Sequence, residues 1–117
     1  MKGEIYLIKV NGSINKKAVL THGITVQSVV CMEELAELQK EISKFIRGSG
    51  DRAHLTEEIA DVYICLDMLQ RMYNVDTEQL QDEIFCKQNR TLKRLEGIRY
   101  GHLETDCDKR PEQVRKP

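Results

Sequence analysis

The sequence predicts an all-α protein, a bundle of long antiparallel helices joined by short loops. Three observations predict it. Apolar residues recur at helical spacing through three long stretches. Helix stop and start residues fall between those stretches, at "GSG" 48–50 and "NVD" 74–76. The one strand-like run, "EIYLIKV" at 4–10, has no second run to pair with.

That run suggests a short N-terminal strand, or no strand at all. "NG" at 11–12 is a turn signal, Ser13 can cap a short helix over about 14–22, and Gly23 can end it. Thr25 reads as the next N-cap, opening a helix that runs to Arg47. Asp51 caps a third helix reaching about Tyr73. Asp76, with Gln79 three residues on, resembles a capping box for a fourth helix to about Leu95. Beyond Gly101 the tail is polar, aperiodic and carries both prolines, so it is expected to be loose. The expected organisation is a segment 1–12, a helical domain 13–100 and a tail 101–117.

At 117 residues the chain has the length of one domain. Few aromatics and no Trp leave such a bundle a thin core, so self-association is expected. A net charge of −1 speaks against a general nucleic-acid binder. No apolar run approaches the ~20 residues of a membrane span, and Lys9 interrupts the apolar start, so neither membrane nor signal peptide is expected. The expected location is the cytoplasm. Cys31, Cys65, Cys86 and Cys107 form no CxxC motif and are expected as reduced, mostly buried thiols.

The chemistry concentrates in two six-residue stretches of one grammar, "EELAEL" at 33–38 and "EEIADV" at 57–62. With Glu34 at zero on a helical wheel, Cys31, Leu35, Leu38 and Ile42 fall between about 40° and 100°. Glu37 and Glu41 fall at about 300° and 340°, on one edge of that stripe. With Glu58 at zero, Val62, Leu55, Tyr73, Leu66 and Ile59 occupy the same sector and Asp61 falls at about 300°. If the helices pack through their stripes, Glu34, Glu37, Glu58 and Asp61 can converge. Converging unpaired carboxylates are costly, and a hard divalent cation reverses that sign. An ExxE on a charge-rich helix is also what a solvated face looks like; the pair at one angle is the stronger signal. A di-iron bundle needs Glu-x-x-His, which this chain lacks. Oxygen donors favour Mg²⁺, with Mn²⁺ as substitute.

On the fourth helix Lys87, Arg90 and Arg94 flank an apolar stripe of Ile84, Leu95 and Ile98. Cations facing a metal site would suit a polyphosphate; a solvated face is the plainer reading. Asn89 points elsewhere on a regular helix. Gln27 lies within the second helix's stripe and needs a partner, either the protein itself or a nucleobase.

These residues resemble the MazG-like all-α nucleoside triphosphate pyrophosphohydrolases. Their ExxE, spacer, ExxD signature reads here Glu34 to Glu37, twenty residues, then Glu58 to Asp61. "KQNRTLKR" at 87–94 is similar to their downstream basic stretch, and the resemblance covers roughly residues 14–95. It implies the fold of that family and Mg²⁺-dependent hydrolysis of nucleoside or deoxynucleoside triphosphates to monophosphate and pyrophosphate. It implies metal binding by Glu34, Glu37, Glu58 and Asp61, phosphate contacts from Lys87, Asn89, Arg90 and Arg94, and a dimer or tetramer. Glu37 is the expected base that takes a proton from water. Glu41 lies outside the shared motif. The alternatives are a non-catalytic helical interaction module and a nucleotide-binding sensor.

Overall fold

Four helices follow one another: α1, Gly12–His22; α2, Ile24–Ile46; α3, Arg52–Met72; and α4, Thr77–Leu95. This computed structural model describes residues 7–97, and no strand occurs among them. Residues 7–10 of the expected strand are irregular; the rest of that run and the tail lie outside the described residues. The described chain falls into two units that part between Asn74 and Val75. The first holds α1, α2 and α3, which pack on one another; the second holds α4.

Local chemistry sets each boundary. Asn11, rather than Ser13, caps α1: its Oδ1 accepts from the backbone N–H of Ser13 (3.0 Å) and Ile14 (3.4 Å), so the helix begins two residues earlier than expected. Gly23 alone separates α1 from α2, at φ 88°, ψ 162°, a conformation essentially reserved for glycine. It replaces Thr25 as the N-cap and offers no side-chain bond. α2 ends in a Schellman motif. Gly48 takes φ +81°, its N–H donates to Phe45 O, and that of Ser49 donates to Lys44 O. Asp51 and Asp76 cap α3 and α4, accepting from Ala53 (2.8 Å) and Gln79 (3.0 Å) respectively.

α2 and α3 run antiparallel. Ser28 of α2 bonds the hydroxyl of Tyr73 at one end (2.6 Å), the Cys31 thiol donates to Cys65 O midway (3.8 Å), and Glu34 meets Asp61 beyond. The core of this unit is small and rich in sulfur: Cys31, Cys65, Met68 and Met72, with Ala18 and Val19 of α1 and Leu69 packed against them.

The buried face differs from the expected stripe. On α3 Val62, at about 40°, is buried as the stripe predicts, while Cys65, Met68 and Met72, at about 340°, 280° and 320°, carry the seam round toward the acids. On α2 the buried residues are Gln27, Cys31 and Glu41, while Leu35 and Ile42 are 41% and 48% exposed. The reason is α1. It adds Ala18 and Val19 on the acidic flank, and the polarisable thioethers fill the gap there.

Asn15, which no local sequence pattern marks, is buried and joins α1 to α3. Its Nδ2 donates to Ile64 O (3.3 Å) and Asp67 Oδ2 (2.8 Å); Arg71 Nε donates to the same Asp67 oxygen (2.8 Å). The spacing of Asp67 and Arg71, four apart on a helix, was a readable signal for half of this network.

Candidate metal centre

The rotated seam carries the acids inward. One carboxylate oxygen from each of Glu34, Glu58 and Asp61 lies within 4.8 Å of the other two, and all three residues are half-buried. Two antiparallel helices supply them, Glu34 from α2 and the other pair from one turn of α3. The doubled motif predicted this convergence, but with the acids at an edge rather than in the seam.

The cluster is electrostatically unfavourable by itself. Desolvation raises the Glu34 carboxyl above its ordinary value. The Asp61 charge, a hydrogen bond to Asp61, Glu58 and Glu37 each raise it further. Desolvation also raises Glu58, followed by the charges of Asp61, Glu37, Glu41 and Glu57. Two carboxyls can hydrogen-bond only when one holds a proton; a cation between them serves the same purpose. Glu58 Oε2 is shielded from solvent and has no hydrogen-bond partner. An all-oxygen donor set with a shielded, unpartnered oxygen fits a hard divalent cation such as Mg²⁺ or Mn²⁺.

Glu37 stands outside the trio. It is exposed on α2, yet close enough for its charge to raise both Glu34 and Glu58. Glu33 and Glu57 are exposed. Gln27 is buried two turns before Glu34. Glu41, which the wheel places on the acidic strip, proves one of the most deeply buried residues of α2.

Beneath the carboxylates, Cys31 and Cys65 are free thiols. Burial, a hydrogen bond with Cys31, the Cys31 charge and the charges of Glu34 and Asp61 push Cys65 up to about 12, so it stays protonated and unreactive. Cys86 on α4 departs from the expected reduced state: it is buried and disulfide-bonded.

In the second unit, Lys87 and Arg94 are exposed on α4, and Asn89 and Arg90 half-buried. The Thr91 hydroxyl donates to Lys87 O (3.1 Å), and Arg94 Nη2 donates to Thr91 Oγ1 (3.4 Å). Lys87, Arg90 and Arg94 therefore share one face, as expected of residues three and seven apart.

No family model, curated protein or solved structure matches the chain. No helix among the described residues is long and apolar enough to cross a membrane.

Proposed function

We propose that this chain is a nucleoside triphosphate pyrophosphohydrolase of the MazG-like type, dependent on Mg²⁺, with Mn²⁺ able to substitute. The observation that carries the reading is the convergence of Glu34, Glu58 and Asp61 across an antiparallel helix pair. These three, with Glu37 beside them, would hold the cation. Bound there, it neutralises polyphosphate charge and orients the substrate. Glu37 is exposed and outside the trio, so of the four it is the carboxylate least used by the cation and is assigned to accept a proton from water. Lys87, Asn89, Arg90 and Arg94 are assigned to the phosphates, where cationic donors stabilise the departing pyrophosphate. Gln27 is a candidate base contact. The substrate is a free nucleotide, not a nucleic acid, and the assembly a homodimer or homotetramer. A cytoplasmic location belongs to the same proposal; the disulfide at Cys86 counts against it, since a reducing compartment keeps thiols free.

The decisive assay offers (d)NTPs with Mg²⁺ and scores pyrophosphate. Wild-type protein should release it from at least one of them, and Asp61→Asn should lower turnover at least a hundredfold with the helical circular dichroism intact. Wild-type turnover in Asp61→Asn would refute the mechanism. The second reading, a non-catalytic interaction module, draws on exposed apolar residues along α2 and α3, such as Ile42 and Leu66. It predicts no melting-temperature shift with Mg²⁺ and a non-hydrolysable nucleotide. A sensor would show that shift without turnover.

A further inference from the structure

On the side of α3 away from the carboxylates, the first unit has a half-open cavity of about 460 Å³. Thr56, Ile59, Ala60, Tyr63 and Ile64 line it from α3. They lie between about 100° and 240° on the α3 wheel, where Glu58 is at zero and Asp61 at about 300°. The other wall is the irregular segment before α1 and the first turn of that helix, with Ile8 and Ile14. The cavity and the carboxylate trio thus use different faces of one helix.

Its size and lining are those of a small-molecule site, a mostly apolar cleft within about 300–1,000 Å³. Ile8, Ile14, Ile59 and Ile64 are 55%, 65%, 40% and 40% exposed, a contiguous apolar patch folded into a concave surface. The wall stands without a ligand. Asn15, 3% exposed, lines the cavity while its Nδ2 donates to Ile64 O and Asp67 Oδ2, which fixes α1 to α3.

The charge of the cavity selects its occupant. Lys9 is the one charged residue among the described residues that line it. Lys9 is exposed and has no ion pair among the described residues. Asn11, the N-cap of α1, also lines the cavity, so the positive end of that helix adds to the ammonium. An apolar chamber with a positive mouth suits an apolar body bearing one anionic head. A polyanion would press further charges against apolar walls, and a cationic amphiphile would meet like charge.

We propose that this cavity binds a single monoanionic amphiphile, a medium-chain carboxylate in its simplest form. The hydrocarbon lies against Ile14, Ala60 and Ile64, and the head group pairs with Lys9. The proposal does not rest on reading the trio as a cation site.

The test is calorimetric titration of the full-length protein with decanoate, below its micelle concentration. Wild type is expected to bind one decanoate per chain, and octanoate about tenfold more weakly, because two fewer CH₂ groups are buried. Decanol and decyltrimethylammonium should each bind about tenfold more weakly than decanoate, or less. Lys9→Gln should lower decanoate to the affinity of decanol and leave decanol unmoved. Ala60→Phe fills the chamber from an exposed position on α3 and should abolish binding of all four. No saturable decanoate binding in wild type overturns the proposal. Unchanged binding in Ala60→Phe, or equal binding of decanoate and decanol in wild type, overturns it as well. Circular dichroism reports whether Ala60→Phe folds; if it does not, Lys9→Gln and the comparison with decanol decide.

Discussion

Glu58 bears charge from every side, and its removal separates function from stability. Its folded-state value is raised, as is that of Glu34, so the folded state binds protons more tightly than the unfolded chain. Their contribution is fully present below the unfolded value of about 4.3 and is lost as pH rises through the raised folded value. Without divalent ions, Glu58→Gln is therefore expected to melt at or above the wild-type temperature at neutral pH, the gap closing by about pH 4. Millimolar Mg²⁺ should raise the wild-type midpoint and leave the variant unmoved. A scanning-calorimetry series in pH, with and without Mg²⁺, checks both signs; a variant that melts well below wild type in chelator would sink the argument. Gly23 is a different kind of residue. Nothing lies near its missing Cβ, so Gly23→Ala tests backbone conformation alone. At φ 88°, ψ 162° an alanine should cost about 1–3 kcal/mol in urea unfolding. A neutral result would show that the α1–α2 corner relaxes. The acids of the trio were legible because their spacing repeats; the burial of Glu41 was not, because a wheel ranks it as an edge charge and nothing local signals the rotation that buries it.

At the scale of elements, the network joining α1 to α3 sets the acid limit. Hydrogen bonding to Arg71 holds Asp67 below its ordinary value, with Asn15 and the Arg71 charge adding and burial opposing. A depressed carboxylate stabilises above its unfolded value, about 3.9, and that stability is lost as pH falls through the folded value. Asp67→Asn should thus flatten the loss of stability between about pH 4 and pH 2 in urea melts, whatever it costs at neutral pH. An unchanged acid slope would place the sensitivity elsewhere. The caps at Asp51 and Asp76 and the Gly48 stop were readable because each is a local bond with a local sequence signature. The face that α3 buries was not, since it is chosen by a long-range partner. Leu55, Ile59 and Leu66 define the more hydrophobic wheel sector, but α1 docks on the flank bearing Met68 and Met72.

That choice has a consequence for the whole molecule. Leu35 and Ile42 of α2 and Ile59 and Leu66 of α3 lie at about 80–100° on their wheels, and in an antiparallel pair equal rotations point to the same side. They are 41%, 48%, 40% and 50% exposed. One side of the hairpin is thus left apolar, beside a small sulfur-rich core. A second copy of this chain is the occupant that the proposed oligomer supplies. Its removal is measurable by sedimentation. Wild-type protein should sediment as a dimer or tetramer at micromolar concentration. Leu66→Glu replaces a side chain whose full burial contributes about 1.5–3 kcal/mol and adds the cost of desolvating a charge. At 1.4 kcal/mol per tenfold, the dissociation constant should rise at least tenfold, with the circular-dichroism spectrum unchanged. Leu20→Glu, at a position 76% exposed on α1, serves as the control and should leave association intact. A wild-type chain that stays monomeric at high micromolar concentration would remove the oligomer from the proposed function while leaving the carboxylate centre, which one chain assembles by itself, untouched.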